Sequence, residues 1–425
     1  MIPLGAHTLV FVAGVTGCGE RPELSARDAG REAGDASEVV DASDGVPDAG
    51  GDLTGRLDVS GGCIETRTVL EQERADDVTG ALVSAAPGGF ALLLEVNIDL
   101  CLQRLRGFDG TLQSEIEVPV ELCNGEQLVV VDEDHVMVLD GPGSVWIGDL
   151  NGDWGPVDVD WPASWRPVGM GVAPMGTTEI FLSDSTGILR LDWAGQVQAL
   201  VETPYIAEVD ATTGIVWSGT TLLANWDHRR PEDDPGISTA YVQRFDGNLV
   251  PLDAEPVRVT DLDGALEQHL MGSTTGWLGT EFVVAVSWSE GFGDFVQPNN
   301  LDLFRFTEVG EPQGSFQVLR GADDDYQLQT LRRVFPVPGR VVFLDFAQFY
   351  DADEGWNWEG EHGAAFAQTS GERVGEDARL GSFQPTVRSR NRLARLRRLA
   401  PEGGGPDLEV FTVLDCTGLF GELAE

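Results

Sequence analysis

Short apolar runs interrupted by glycine-containing turns recur along most of the chain. Each copy has a strand-length apolar run, a tight turn and a second apolar run, which is the pattern of a β-hairpin. No helical periodicity separates the copies. The five clearest begin at Ala85, Ala173, Val216, Gly276 and Pro336 and read "AAPGGFALLL", "APMGTTEIFL", "VWSGTTLLAN", "GWLGTEFVVAV" and "PVPGRVVFLDF".

A second, more polar hairpin follows each apolar one. These second hairpins begin at Leu102, Ile188, Tyr241, Leu303 and Ala364. A further pair, "LVVVDEDHVMVL" and "VWIGDLNGDWGPVDV", fills the gap after the first unit, and "LARLRRLAPEGGGPDLEVFTVL" from Leu393 forms a last copy. Inner strands packed on both faces should be continuously apolar, whereas an outer strand facing water should alternate.

About seven units of four short strands, roughly 40–60 residues apart, predict an all-β fold and specifically a β-propeller over residues 61–425. The last copy lacks an evident inner hairpin, so six blades with a degenerate end is an alternative. A pair of β-sandwiches fits less well because sandwiches do not repeat at this period.

The paired motif is "W-x-G-T" with an apolar strand, followed by "Y-x-x-R-x-x-x-G". It resembles propeller repeats of secreted bacterial lipoproteins of unassigned role, loosely in each repeat and over most of residues 75–385. The resemblance implies an exported propeller, and it assigns no activity to any residue.

The first eighteen residues favour export as well. An apolar segment from Leu4 to Val15 runs into Thr16, Gly17 and Cys18 and resembles a bacterial lipoprotein signal, in which the cysteine after small residues is lipidated. The segment departs from the pattern because no Arg or Lys precedes it and His7 interrupts it. An ordinary buried N-terminal strand is the alternative.

Residues 19–60 contain no aromatic residue, and Asp, Ala, Gly and Ser dominate them. Such a composition buries too little apolar surface to offset its ordering entropy, so it predicts a disordered acidic tether. Gly19, rather than Asp, after the cysteine resembles sorting to the outer membrane of a Gram-negative cell envelope. We therefore expect a lipid-anchored monomer that meets the membrane through its anchor alone.

The chain has a formal net charge of −44, which makes nucleic acid a poor partner because both are polyanions. Beyond Cys18 there are four cysteines, an even number that suggests two disulfides with three possible connectivities in an oxidising compartment. A closed ring would bring Cys63 and Cys416 together. Cys101 and Cys123 fall at one end of the first blade and form the other expected pair. Four free thiols are the alternative.

The connections between second and third strands are short in the first three blades and long in the next three. The long ones carry aromatic and polar residues beside carboxylates, which suits sugar or peptide binding. We predict a rim that binds a protein or glycan, unless the long connections pack on one another. Its candidate residues are Asp227, His228, Phe292, Tyr350, Trp356, Trp358 and His362.

Calcium is the single cofactor that the sequence suggests. "DLNGDWGPVDVD" resembles the calcium loops of integrin-type propellers, with Asp149, Asn151 and Asp153 as oxygen ligands and Asp158 or Asp160 closing the site. Trp154 stands where that pattern needs glycine. An Asx-rich hairpin turn explains the same residues without a metal.

Catalysis has less support, and we expect a binding module rather than an enzyme. The histidines show no metal-ligand spacing, and no nucleophile elbow or phosphate loop is present. A propeller hydrolase or lactonase using acidic pairs such as Asp233–Asp234 or Glu359 and Glu361 is the alternative. Six arginines between Arg388 and Arg398 could contact a polyanion or neutralise acidic neighbours in the same chain.

Overall fold

The computed structural model describes most residues between 62 and 421. The described ranges are 62–71, 78–96, 99–125, 127–140, 144–159, 161, 171–176, 178–183, 187–202, 214–229, 238–259, 268–290, 299–319, 327–337, 339–351, 355–375, 378–381, 387–399 and 408–421. The predicted signal, Cys18 and the tether at residues 19–60 lie outside them.

In the described part of the chain, 28 strands form seven antiparallel sheets of four strands each. The first strand in the chain, β1 (Ile64–Glu71), belongs to the last sheet. The other sheets follow chain order.

Blade 1 contains β2 (Val78–Ala86), β3 (Gly89–Val96), β4 (Cys101–Gly107) and β5 (Leu112–Val118). Blade 2 contains β6 (Gln127–Val130), β7 (Val136–Asp140), β8 (Ser144–Gly148) and β9 (Trp154–Asp158). Blade 3 contains β10 (Gly171–Met175), β11 (Glu179–Ser183), β12 (Gly187–Asp192) and β13 (Val197–Glu202).

The longest strands lie in blades 5 and 6. Blade 4 contains β14 (Gly214–Trp217), β15 (Leu222–Arg229), β16 (Ser238–Phe245) and β17 (Val257–Arg258). Blade 5 contains β18 (Gln268–Trp277), β19 (Glu281–Glu290), β20 (Asn299–Thr307) and β21 (Pro312–Leu319). Blade 6 contains β22 (Gln327–Val337), β23 (Arg340–Asp351), β24 (Gly355–Ala367) and β25 (Ala378–Gly381). Blade 7 contains β26 (Val387–Ser389), β27 (Arg392–Leu399), β28 (Leu408–Asp415) and β1. A 3₁₀ helix (Val120–Asn124) follows blade 1, and α1 (Thr417–Phe420) follows blade 7.

The sheets pack face to face in a closed ring. Each of the seven apolar clusters found among the described residues joins two consecutive blades, and the ring closes where Phe90 and Leu92 of blade 1 meet Phe411 and Val413 of blade 7. First strands of adjacent blades also contact each other, as β10 contacts β14 and β26 contacts β2. The chain is therefore a β-propeller, as the repeat predicted.

Burial along the strands follows position in the blade. All four residues of β6, an innermost strand, are buried, and so are seven of the eight residues of β3. Residues of the outermost strand β13 alternate between half-buried and exposed. This is the predicted contrast between strands packed on both faces and strands that face water.

Blade 7 is assembled from both ends of the described chain. Its innermost strand is β26, which the sequence pattern did not reveal because it has three residues, and its outermost strand is β1. The pairing of β1 with β28 starts at Ile64 opposite Asp415 and ends at Glu71 opposite Glu409. The last copy, which lacked an evident inner hairpin, is thus the middle hairpin of a complete four-stranded sheet.

Both disulfides join the expected cysteines. One links Cys63 to Cys416 where β1 meets β28, and the other links Cys101, at the start of β4, to Cys123 in the 3₁₀ helix. The first bridge joins residues that are 353 positions apart. It therefore covalently closes a ring that the backbone leaves open.

In blades 1 to 4, the turn between the third and fourth strands contains the same hydrogen bond. An aspartate carboxylate accepts the backbone N–H of the residue two positions later, which is an Asx turn. The pairs are Asp109 with Thr111 (2.9 Å), Asp149 with Asn151 (2.8 Å), Asp192 with Ala194 (2.9 Å) and Asp246 with Asn248 (2.8 Å).

Those turns contact the neighbouring blade. We call this end of the ring, which carries the turns between first and second and between third and fourth strands, the turn face. The blade-to-blade contacts there are Gln103 with Trp154, His135 with Trp193, Arg190 with Asn248, Ser218 and Thr220 with Glu308, Glu281 with Gln368, Arg340 with Leu419, and Arg390 with Phe108. Every junction of the ring therefore carries a side-chain contact in addition to its apolar cluster.

Three of the arginines between Arg388 and Arg398 contact aromatic rings beside blade 7. Arg392 pairs with Asp415 at 3.3 Å, and the guanidinium carbons of Arg390 and Arg392 lie 5.2 and 5.0 Å from the Phe108 ring centroid. Arg388 lies over Phe420 at 4.7 Å, and burial lowers the pKa of Arg388 to about 10. These contacts favour an internal role over a polyanion site for these three residues.

Candidate functional site

The end of the ring opposite the turn face carries the connections between second and third strands, and we call it the hairpin face. Blade height differs there. The second strand has five residues in blades 2 and 3, eight in blades 1, 4 and 7, ten in blade 5 and twelve in blade 6. At about 3.3 Å per residue, β23 is over 20 Å longer than β11. Blades 4 to 6 therefore rise in steps above blade 3, and blades 5 and 6 are taller than every other blade.

In blade 6, most of the predicted long connection is strand. Tyr350 lies in β23, and Trp356 and Trp358 lie in β24, so all three are strand residues. Tyr350 is paired with Trp356, and Gln348 with Trp358. Cross-strand partners share a face and so do residues two apart, which places the three aromatic positions on one face of a two-stranded ribbon. Phe349 and its partner Asn357 occupy the other face. The side chains of these residues lie outside the described set.

The remaining rim candidates are distributed over two blades. Asp227 and His228 lie in β15 opposite Ala240 and Thr239. His362 lies in β24 between Asp345 and Arg379 in the register. The side chains of Asp227, His228 and His362 are again outside the described set, and Phe292 is outside it entirely.

Of the four acidic residues named for the hydrolase alternative, two lie in a described strand and two lie outside the described residues. In β24, Gly360 pairs with Ala347 and Trp358 with Gln348, so Glu359 is the extra residue of a β-bulge. Glu361 pairs with Phe346. Asp233 and Asp234 lie outside the described residues.

The described side chains of blades 4 and 5 form polar contacts that the sequence did not single out. Buried Trp288 donates its indole N–H to an Asp302 carboxylate oxygen at 2.7 Å. Buried Asn225 donates its amide N–H to Ser273 Oγ of the next blade, also at 2.7 Å. The available sequence signal was a polar residue followed by tryptophan at the same place in two blades, Asn225–Trp226 and Ser287–Trp288.

The Asn225 contact depends on glycine at a neighbouring position. Asn225 pairs with Gly214 across the sheet, and a Cβ at Gly214 would lie 2.3 Å from Asn225 Oδ1. Glycine therefore leaves the space through which the amide reaches blade 5. Hydrogen bonds therefore stabilise blades 4 and 5 both within a blade and between the two blades.

The predicted calcium loop is an Asx turn in the structure. Asp149 Oδ1 accepts the backbone N–H groups of Asn151 (2.8 Å) and Asp153 (3.2 Å). Partial burial acts to raise the pKa of Asp149, but these hydrogen bonds, with further ones from the Asn151 side chain and the Gly152 N–H, outweigh it and hold that pKa below its usual range.

Trp154, which replaced the expected glycine, has a structural role. Its indole N–H donates to Gln103 Oε1 of blade 1 at 2.9 Å. Asp158 is the exposed last residue of β9, and Asp160 lies outside the described residues. Within the described ranges, no group of three or more His, Cys, Asp or Glu residues could hold a metal ion.

The histidine of the turn face is also engaged. His135 Nδ1 lies 3.1 Å from Asp132 Oδ1, and its ring stacks on Trp193 of blade 3 at 4.6 Å.

Among the helices that the structure describes, none is long and apolar enough to cross a membrane.

Comparison with known proteins identifies no family for this chain. No family model matches the sequence, and no curated protein matches it. The Neurospora crassa Pan2 WD40 domain is similar over 85% of this chain and 97% of its own, at 10% identity and a TM-score of 0.46. The β-propeller domain of the Trilobed protease from Pyrococcus furiosus is similar over 70% and 95%, at 10% identity and a TM-score of 0.40. A putative TolB from Agrobacterium tumefaciens is similar over 57% and 77%, at 14% identity and a TM-score of 0.31.

Proposed function

We propose that this chain is a lipid-anchored, extracytoplasmic binding module that holds a protein or glycan on the hairpin face of blades 4 to 6. The observation that carries the proposal is the register of the β23–β24 ribbon, which brings Tyr350, Trp356 and Trp358 to one face. Aromatic faces stack on sugar rings and on peptide side chains, and such contacts dominate many interfaces. The ribbon belongs to the tallest blade, where a large partner has access.

The binding experiment uses the mature chain with Cys18→Ser, purified as soluble protein and applied to a glycan array and to envelope extracts. A specific ligand should bind Trp356→Ala/Trp358→Ala at least about 30-fold more weakly, because a hot-spot aromatic contributes about 2 kcal/mol or more. The matched control is Phe349→Ala/Asn357→Ala on the other face of the ribbon, which should keep its affinity.

The outcomes separate the hypotheses. Equal affinity of wild type and the tryptophan double variant, with both folded, would place the ligand elsewhere on the ring. A ligand that is consumed during the assay would favour the hydrolase alternative, and Glu359→Gln and Glu361→Gln would then be the variants to assay.

Anchoring is proposed from the N-terminal motif, with residues 19–60 as the tether and the outer membrane as the destination. In cells fed a labelled fatty acid, the wild type should carry the label and fractionate with membranes. Cys18→Ala should carry none and be released as soluble protein. Labelling of both proteins to the same extent would show that Cys18 is not the acceptor.

A further inference from the structure

We propose that Asn151 is a site of spontaneous deamidation, at which the turn between β8 and β9 acquires an aspartate or isoaspartate in place of asparagine. The chain contains two Asn–Gly dipeptides, Asn124–Gly125 and Asn151–Gly152. The two lie in different surroundings, and those surroundings favour reaction at the second. The proposal is independent of the membrane anchor and of any ligand on the hairpin face.

The reaction requires water as its single co-reactant. The Gly152 nitrogen loses its proton to solvent and attacks Cγ of Asn151, which closes a five-membered succinimide ring. The Cγ–Nδ2 bond breaks, and the amide nitrogen takes a proton from water and leaves as ammonia. Water then opens the ring. Opening at the Cγ–N bond gives aspartate, whereas opening at the C–N bond gives isoaspartate, whose main chain runs through Cβ and Cγ. Glycine favours ring closure because it has no side chain and adopts many backbone conformations.

The reacting groups of Asn151 and Gly152 are held weakly. Asn151 is exposed, and its Nδ2 donates to Asp149 Oδ2 at 3.4 Å. The Gly152 N–H is shared between Asp149 O, at 3.4 Å, and the Asp149 carboxylate. Both distances exceed the usual range for N–H···O hydrogen bonds. The side chain can therefore turn towards the Gly152 nitrogen without breaking a strong hydrogen bond.

The space around Gly152 also permits movement. A Cβ at this position would lie 2.8 Å from Cδ1 of Ile116, and the next nearest atoms belong to the same isoleucine side chain. Gly152 has a φ of +98°, a conformation that glycine adopts readily. The end of one flexible side chain is thus what the backbone must displace when the ring closes.

The other Asn–Gly dipeptide is held more firmly. Asn124 ends the 3₁₀ helix, and the Gly125 N–H donates to Leu122 O at 3.2 Å. A Cβ at Gly125 would lie 2.4 Å from Cγ1 of Val138, so the backbone packs closely against β7. The disulfide of Cys123 fixes the residue before Asn124. Ring closure there requires movement of packed backbone, and we expect it to be slower.

Deamidation would alter a turn that contacts the neighbouring blade. It replaces the Asn151 donor with a carboxylate that repels Asp149. Isoaspartate also adds a carbon to the main chain between the two N–H groups, of Asn151 and Asp153, that Asp149 Oδ1 accepts. Trp154, the next residue, donates to Gln103 of blade 1. The product should therefore loosen the turn beside the junction of blades 1 and 2.

Peptide mapping after incubation tests the site. The soluble chain with Cys18→Ser is kept warm at a series of neutral to mildly alkaline pH values and digested with a protease that cuts after glutamate. Glu126 and Glu133 lie between the two asparagines, so each falls in its own peptide. Chromatography with mass spectrometry then resolves the Asn, Asp and isoAsp forms. Asn151 should lose its amide several-fold faster than Asn124, and its rate should rise with pH because the attacking nitrogen is deprotonated.

Two controls isolate the contribution of the fold. In the reduced chain unfolded by denaturant, the two dipeptides should react at similar rates. Asn151→Gln keeps an amide but would need a six-membered ring, so its amide should persist in the folded chain. Equal rates at the two asparagines in the folded chain, or unequal rates in the unfolded chain, would overturn the proposal. So would an Asn151 that reacts in the unfolded chain alone, or a rate that does not depend on pH.

Hydrogen exchange tests the effect on the turn. The isoaspartate form, separated from the unreacted protein, should exchange the Asp153 amide several-fold faster than Asn151→Gln does, because the hydrogen bond to Asp149 is lost. Equal exchange in the two proteins would show that the modification leaves the turn intact and would overturn this part of the proposal.

Discussion

The two faces of this propeller are built by different rules. On the turn face, four blades use the same aspartate turn, and the blade junctions carry side-chain contacts such as Glu281 with Gln368. On the hairpin face, second strands range from five to twelve residues, and the raised ones are neighbours. Side-chain contacts between blades thus recur on the turn face, whereas the hairpin face varies in length. A variable surface on a rigid ring is where binding residues are expected.

The largest effect on stability is expected on the turn face, at Glu281. Its carboxylate oxygens accept from Arg305 Nε at 2.6 Å, Arg305 Nη2 at 2.7 Å and Gln368 Nε2 at 2.6 Å, and it is buried. Glu281→Ala leaves a largely buried guanidinium without this carboxylate and should lower the free energy of unfolding by about 3 kcal/mol.

Chemical denaturation of Glu281→Ala and of Glu281→Met/Arg305→Met measures this effect. The double variant should recover part of the loss, because it removes the uncompensated charge as well as the pair. A loss below about 1 kcal/mol in the single variant would show that the blade 5–6 junction does not depend on this contact.

A smaller effect on stability is expected in blade 5, at Trp288. Trp288→Phe keeps an aromatic ring but removes the N–H that donates to Asp302 at 2.7 Å, and it should cost about 1.5 kcal/mol. A double-mutant cycle with Asp302→Leu isolates the contact. Additive effects of the two changes would show that this hydrogen bond does not contribute to the stability of blade 5.

The smallest effect is expected at Asp149. Its pKa is lower in the folded chain than in the unfolded chain, so the ionised carboxylate stabilises the fold above the unfolded pKa, and this stability is lost as pH falls through the folded pKa. Asp149→Asn keeps an acceptor for the turn and should cost about 0.5 kcal/mol at neutral pH, since the site is largely solvated.

Thermal unfolding of wild type and Asp149→Asn between neutral and acidic pH measures the difference, which should shrink as the pH falls. Glu202 is an exposed residue of β13, and the Glu202→Gln variant is the control for removing one surface charge. An identical pH dependence for the two variants would show that the turn does not favour the ionised form. Added calcium, which the Asx turn does not require, should leave the Asp149→Asn comparison unchanged.

Much of the fold was predictable because it depends on short sequence motifs that recur along the chain. Glycine turns between apolar runs, as at Gly219 and Gly279, mark the hairpins, and the polar second hairpins mark the outer strands. The Cys63–Cys416 pair followed from ring closure once a propeller was inferred, and the Cys101–Cys123 pair followed from the position of both residues at one end of the first blade. The candidate site was harder to predict. Tyr350, Trp356 and Trp358 were identified by composition, but their strand register, which puts them on one face, depends on pairing between β23 and β24.

By itself, the sequence determined the class of fold, the blade repeat and the aspartate turns, because each rests on residues a few positions apart. Tertiary structure decided what long-range contacts control. It placed β1 beside β28 and gave Trp154 a partner in blade 1. It also directed Arg390 and Arg392 to Phe108 at the closing junction and Arg388 to Phe420 in α1. The physical reason is that a strand of three residues such as β26 or an arginine in a charged run has no local preference strong enough to specify its partner. That choice is made when the last blade packs against the first.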